Sequence, residues 1–343
     1  MSEEAARAGL PRVVLAMGDA AGISPELTAR VLADDAVRAA AGIIVIGDAR
    51  VLAAGARVAG VDPAVDIAED GAPIARNGAG RPVLIDLGHC DPAGVPLGRI
   101  SEAGGRFATQ NFRRALAMAA AGDADAVCFS PFNKAAMRLV TQGYEDEIGF
   151  TAEAIGFHGT AKEFNILEGL WNARVTSHVP LKDVAGLLTR EAILDNLRLT
   201  HEALLAAGVA RPRIAVAALN PHAGENGNFG REEIDVIGPA VEAGQHAQIA
   251  CDGPFPSDTV FVRARRGDFD AVLTMYHDQG QIAMKLLGFE AGVTLLGGFP
   301  FPICTPAHGT AYDIAGKGIA HPGAMRNAML LAARMARRRA APG

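Results

Sequence analysis

Seven short apolar runs recur along the chain, each closed by glycine, proline or a polar residue, with alanine-rich stretches between them. They are "RVVLAMGD", "AGIIVIGD", "RPVLIDLG", "DAVCFSP", "NARVTSH", "RIAVAALNP" and "DAVLTMYHD". A strand with one wet face alternates apolar and polar side chains, whereas these runs are nearly unbroken. Strands of that kind are buried on both faces, so the pattern predicts an α/β fold of parallel or mixed sheets covered by helices. The windows "GGRFATQNFRRALAMAAAG" and "REAILDNLRLTHEALLAAG" carry helical periodicity and stop at glycine, as C-capped helices do. Ligands of such sheets gather beyond the carboxyl ends of the strands. The polar residues that close the runs are therefore the first candidates for chemistry.

At 343 residues the chain exceeds one ordinary core, and at ~100–200 residues per domain it divides into two. A net charge of −6 disfavours nucleic acid, whose phosphates are held mainly by Lys and Arg. The basic "RMARRRA" near the C-terminus reads as a solvated helix end that complements the helix dipole. No apolar segment approaches the ~20 residues of a membrane span. The opening "MSEEAARAGLPR" lacks the zones of a signal peptide, so a cytoplasmic protein is expected. Cys90, Cys128, Cys251 and Cys304 lie far apart without C-x-x-C spacing, which predicts reduced thiols instead of a zinc knuckle or disulfide framework.

Three histidines follow strand-like runs: His178 after "NARVTS", His222 after "RIAVAALNP" and His277 after "DAVLTMY". Taken singly, each fits a hydrogen-bonded structural role. Taken together, three neutral imidazoles at one sheet edge can bind a divalent metal and leave coordination positions for a substrate oxygen. The ligand type suits zinc, cobalt, nickel or iron, and added aspartate ligation would admit manganese or magnesium. Asp278, beside His277, can orient the site or take a proton. Asp258 in "GPFPSDT" is a second acid, with a helix cap or turn as its structural alternative. Lys134 in "SPFNKAAM" follows a strand and can neutralise an anion or act as acid or base.

The segment "HGTAYDIAGKGIAHP" joins small residues to the acid Asp313. It reads either as tight turns or as a cofactor loop, with Asp313 accepting from a ribose diol and favouring NAD over NADP. No G-x-G-x-x-G follows any run, so a dinucleotide site here is not of the Rossmann kind. The first loop, "MGDAAGISPELTARVL", can offer backbone N–H groups to an anion or simply open a helix at Pro25.

Together these motifs resemble the family of 4-hydroxythreonine-4-phosphate dehydrogenase, the pyridoxal-phosphate pathway enzyme. "MGDAAGISPE", "SPFNKAAM", "TSHVPL", "LNPHAGENGNFG", "GPFPSDT", "MYHDQG" and "HGTAYDIAGKGIAHP" follow in family order. The last also resembles the cofactor loop of isopropylmalate and isocitrate dehydrogenases. The resemblance implies their two-domain, three-layer αβα architecture with the active site in the interdomain cleft. On that basis residues 1–134 with 286–343 form the cofactor-side domain, and 135–285 the metal- and dimer-forming domain. It further implies a homodimer with a shared site, its metal held by His178 and His222 of one subunit and His277 of the other. NAD lies along His308, Gly309, Thr310, Ala311 and Asp313. In the family reaction a secondary hydroxyl is oxidised and the resulting β-keto acid loses CO₂.

Two departures bear on the substrate. Where the family has GHTEF this chain reads "GFTAE", so Phe150 replaces a histidine and Thr151 remains. The family's phosphate-binding arginine and asparagine fall on Ile303 and Thr294, leaving Lys285 of that set. An apolar residue in place of a guanidinium forfeits a charge-assisted contact of ~1.5–3 kcal/mol. This predicts a less charged or ring-bearing hydroxy acid, as in relatives that oxidise terephthalate cis-dihydrodiol. Two rival classes stand beside the dehydrogenase: a metabolite-binding protein without turnover, and a metal-dependent hydrolase, which leaves the cofactor-like loop unexplained.

Overall fold

The computed structural model describes residues 9–72, 74 and 81–340. The acidic opening, residues 1–8, lies outside them. The chain forms two compact units, Met1–Ala161 with Val293–Gly343, and Lys162–Gly292.

The first unit holds β1 (Arg12–Ala16), β2 (Gly42–Gly47), β3 (Asp66–Glu69), β4 (Val83–Asp86) and β5 (Ala126–Phe129), with two later strands, β11 (Val293–Gly297) and β12 (Ile303–Pro306). Their order is β3-β4-β2-β1-β5-β12-β11, and every pairing is parallel except β11 with β12. Every residue of β1, β2 and β5 is buried. Because successive side chains point to opposite faces, both faces of these strands are covered. Helix α1 (Ser24–Leu32) follows β1 and packs on α2 (Ala49–Ala59), while α3 (Glu102–Ala120) packs on β1, β2 and β5. Ser101 starts α3 by accepting from the Gly104 N–H at 3.1 Å. The helices α4 (Lys134–Val140) and α5 (Glu147–Ile155) both pack on α3, which keeps them in this unit although the sequence reading placed the boundary at residue 134.

The second unit holds β6 (Lys162–Leu167), β7 (Leu170–Arg174), β8 (Ile214–Ala217), β9 (Cys251–Phe255) and β10 (Ala271–Thr274). They lie in the order β6-β7-β10-β8-β9. β6 and β7 form an antiparallel pair, and the β7-β10, β10-β8 and β8-β9 pairings are parallel. Its helices include α6 (Arg190–Ala207), α7 (Ser257–Arg265) and α8 (His277–Gly288). Thr189 caps the start of α6, and Gly208 ends it at φ 104°, a left-handed conformation that costs glycine little.

All seven apolar runs are strands of these sheets. The four cysteines are buried and unpaired. Among the described residues no helix is long and apolar enough to cross a membrane.

The core of the first unit centres on α3. Phe112 is fully buried, stacks on Phe150 at 5.5 Å and tilts against Phe129 and Phe132 at 4.7 and 5.1 Å. Truncating it removes the common partner of three rings. Phe112→Ala is expected to cost about 3–5 kcal/mol in chemical denaturation, and a loss below about 1 kcal/mol would contradict this packing.

Candidate active site

Parallel pairing brings the carboxyl ends of β7, β10 and β8 to one edge of the second unit's sheet, with β10 between the other two. His178 follows β7, His277 opens α8 directly after β10, and His222 follows β8. The rings of His178 and His277 lie 5.6 Å apart at 40°. His277 Nδ1 is 2.7 Å from Asp278 Oδ1, so the ring donates there and leaves Nε2 as its unprotonated nitrogen. Two imidazoles so placed suit a divalent cation. Among the described residues of this one chain, no group of three or more His, Cys, Asp and Glu side chains is arranged to hold a metal. His222 turns its ring toward Phe229, at 6.2 Å.

The backbone carrying these histidines is strained. His178 has φ 52°, and His222 begins an unbroken left-handed run: His222 53°, Ala223 54°, Gly224 76°, Glu225 43° and Asn226 56°. Non-glycine residues pay roughly 1–2 kcal/mol each for this conformation and rarely adopt it in series. Glu233, 5% exposed, holds the entry to the run. Its carboxylate accepts from the Leu219 and Asn220 N–H groups at 2.8 and 2.7 Å and from Asn220 Nδ2 at 2.9 Å. On the other flank Arg174 is buried; it donates to Glu163, to Asn165 Oδ1 and, through Nε at 2.7 Å, to Ser177 Oγ beside His178. Gln281 of α8 donates to the same Asn165 oxygen at 2.7 Å. The turn bearing His178 and the helix bearing His277 are thus tied through one amide.

Asp258 lies in the first turn of α7, exposed, and no side chain caps that helix. Lys285 is exposed on α8. In the first unit, Lys134 opens α4 and pairs with Glu147 Oε2 at 3.1 Å. Thr151 is fully buried with no hydrogen-bond partner for its hydroxyl among the described residues, which makes it a polar atom awaiting a partner. Thr294 in β11 sits across from Thr305 of β12.

Phe150 and Ile303, the apolar positions expected at the substrate, lie in the core of the first unit. Phe150 is 4% exposed and Ile303 fully buried, and both belong to the hydrophobic cluster around Phe112. The Arg113 guanidinium lies over the Phe150 ring at 4.8 Å. An apolar side chain at either position gains more by joining this core than by lining a wet pocket. Both departures from the family pattern are engaged in packing within this unit.

The first loop opens helix α1 with Pro25 in its first turn, and several of its backbone donors are engaged within the protein. The Gly18 N–H meets Ser24 Oγ and Ser130 Oγ, Asp19 N–H the Pro131 carbonyl, Ala21 N–H Asp19 Oδ1, and Ile23 N–H the Thr310 carbonyl. The loop also grips the segment from His308 to Asp313. A Cβ on Gly22 would meet Thr310 O at 2.7 Å, and the Tyr312 hydroxyl donates to buried Asp19. On the gripped segment Gly309 and Asp313 are exposed, Ala311 has φ 42°, and space beside Gly309 is open. Burial holds His308 below the usual histidine range and favours its neutral form, although its contact with the Gly309 carbonyl works the other way. An exposed carboxylate on a fixed turn is the chemistry a ribose diol needs, so these residues suit a dinucleotide.

Sequence reasoning missed Asp19, Tyr312, Glu233 and the Arg174–Asn165–Gln281 chain. Only Asp19 carried a signal, as the acid closing the first apolar run.

The family pattern of the pyridoxal phosphate biosynthetic protein PdxA matches residues 39–332. The chain belongs to the PdxA family. It is 60% identical over 331 residues to a Rhizobium meliloti protein named "Putative 4-hydroxythreonine-4-phosphate dehydrogenase 2", covering 96% of this chain and 95% of that one. It is 41% identical to the D-threonate 4-phosphate dehydrogenase of Cupriavidus necator, with 96% and 99% covered. The crystal structure of 4-hydroxythreonine-4-phosphate dehydrogenase from Klebsiella pneumoniae superposes with a TM-score of 0.80 at 34% identity, covering 96% and 98%. PdxA-family relatives are named dehydrogenases, and this chain is an oxidoreductase of that kind.

Two outcomes follow from the site's interior. Ile303→Arg, which restores the residue that the resemblance implies, places a charge in the aromatic core and is expected to lose about 3–5 kcal/mol of stability. Chemical denaturation at neutral pH measures it, and an unchanged midpoint would show that position 303 reaches solvent. Burial raises the Asp19 carboxyl above its ordinary 3.8, outweighing the Tyr312 and Ala21 hydrogen bonds. The folded state therefore keeps this proton after the unfolded chain has lost it, and the associated stability fades as pH rises through the folded value. The stability of the parent relative to Asp19→Asn should decline as pH rises from about 4 toward 7; a rising difference would reverse the assigned sign.

Proposed function

We propose that this PdxA-family chain is a divalent-metal- and NAD-dependent dehydrogenase that oxidises the secondary hydroxyl of a small β-hydroxy carboxylate. The observation that carries the reading is the placement of His178, His277 and His222 at three adjacent parallel strand ends, two of the rings already side by side. His178 and His222 of one chain with His277 of a second copy would hold the ion, as the family resemblance implies, zinc being the best match to imidazole donors. Bound there, such an ion would supply Lewis acidity toward the substrate oxygens, with NAD as the hydride acceptor.

The chain's own residues do the rest. Asp278 fixes the His277 tautomer, so that Nδ1 carries the proton and Nε2 is available to the ion. Asp258, exposed at the start of α7, accepts the hydroxyl proton as the hydride leaves. Lys134, held by Glu147, is the acid that reprotonates the carbon skeleton after the β-keto acid has lost CO₂. Asp313 accepts from the ribose diol of NAD and repels the 2′-phosphate of NADP. The buried Thr151 hydroxyl supplies a hydrogen bond to the substrate.

Relatives act, by their names, on the 4-phosphates of hydroxythreonine and D-threonate. With Ile303 in the core, Lys285 on α8 is the cation left to meet such a phosphate. Ile282 and Leu286, on the same helix, are 61% and 83% exposed. That apolar stripe supports a homodimer formed through this unit, as the family resemblance implies.

The test is a panel of phosphorylated and unphosphorylated four-carbon hydroxy acids and cis-dihydrodiols, assayed for NADH and CO₂ with added metal. NADH should appear with a four-carbon acid, require metal and vanish in His222→Ala. Lys285→Ala should raise KM for a phosphorylated acid by roughly 10–100-fold and leave an unphosphorylated one unchanged. A metal-loaded chain that binds no NAD in calorimetry would falsify the dehydrogenase reading.

A further inference from the structure

Within the stretch from His308 to Asp313, which follows β12, Tyr312 has no part in the chemistry above. Its hydroxyl donates to Asp19, a carboxyl 1% exposed beyond the end of β1. Asp19 is itself fixed from three directions. Its N–H donates to the Pro131 carbonyl at 3.0 Å, and its Oδ1 accepts from the Ala21 N–H at 2.8 Å. Gly104 of α3 closes on it so tightly that a Cβ there would lie 2.3 Å from Oδ1. Two backbone contacts hold the same stretch: the Ile23 N–H donates to the Thr310 carbonyl at 3.0 Å, and Gly98 backs onto the Tyr312 carbonyl, where an added Cβ would sit at 3.0 Å.

Thr310 and Tyr312 are thus pinned on either side of Ala311, which stands at φ 42°. A non-glycine residue leaves that region unless its flanks are held. The bond at Thr310 uses backbone alone, so of the two pins only the one at Tyr312 depends on which side chain is present. Asp19 needs that donor as well, because a buried carboxyl oxygen without a partner is costly. We propose that Tyr312 is a positioning residue for the cofactor: by closing on Asp19 it keeps Ala311 in its left-handed conformation and so aims the next residue, the exposed Asp313, at the ribose diol of NAD. The role rests on the NAD-dependent reading above. A segment that spends less time in its binding-competent pose binds in proportion more weakly.

Phenylalanine keeps the ring of Tyr312 and removes only the donor. The full-length parent and Tyr312→Phe are melted thermally, followed by amide hydrogen exchange over residues 308–317 without cofactor, and titrated with NAD and NADP by calorimetry. Tyr312→Phe is expected to melt cooperatively, to exchange roughly 10-fold faster over that stretch and to bind NAD roughly 10-fold more weakly. Its affinity for NADP, which Asp313 already repels, changes less. NAD affinity within about twofold of the parent, in a variant that melts cooperatively, overturns the assignment. Weaker NAD binding with unchanged exchange overturns it too, since the phenol would then touch the cofactor itself. If Tyr312→Phe does not fold, the cofactor-free parent decides: exchange over residues 308–317 as fast as in an unstructured peptide overturns the assignment, and protection there upholds it. A parent that binds neither nucleotide overturns the NAD reading and this role with it, whereas a parent that binds and a variant that binds equally well overturn this role alone.

Discussion

Parallel pairing of β7, β10 and β8 is the constraint on which the proposed chemistry depends. Neighbouring strands stand about 4.8 Å apart, so three carboxyl ends fall within roughly 10 Å of edge. A single antiparallel swap would send one of the three histidines to the opposite edge. The sheet thus brings three histidines that are far apart in sequence to one edge, and short turns set their directions.

Aiming costs strain. Five consecutive residues from His222 to Asn226 hold positive φ, a conformation that unconstrained chain would leave. The buried Glu233 carboxylate, with three N–H donors around it, fixes the point where the run begins. Charge-assisted bonds of this kind contribute about 1.5–3 kcal/mol each, enough to offset several strained residues. Arg174 plays the matching part on the His178 side, where its guanidinium donates to Glu163, Asn165 and Ser177. Buried charges held by several hydrogen bonds are stiff, and stiffness is what the proposed site requires.

The strands and their class were legible because unbroken apolar runs report burial on both faces directly. β3, β6, β9, β11 and β12 escaped notice for a physical reason: "DIAE" and "KEFNIL" alternate or carry charge, "CDGPF" is half exposed, and the last two lie amid glycine and proline. The strand-end histidines were visible as polar residues closing apolar runs. Glu233 and Asn165 were not, since each acts on backbone or side chains that only the fold brings near. Phe150 and Ile303 show the converse limit. Alignment to polar family positions says nothing of packing, and both side chains join the cluster around Phe112.

X-ray absorption at the zinc edge of the zinc-loaded chain tests the central claim most directly, because it counts imidazole ligands without reference to turnover. The account predicts one zinc per chain with three imidazole nitrogens at about 2.0–2.1 Å. A bound ion surrounded by oxygen alone, or by thiolate sulfur, would contradict it.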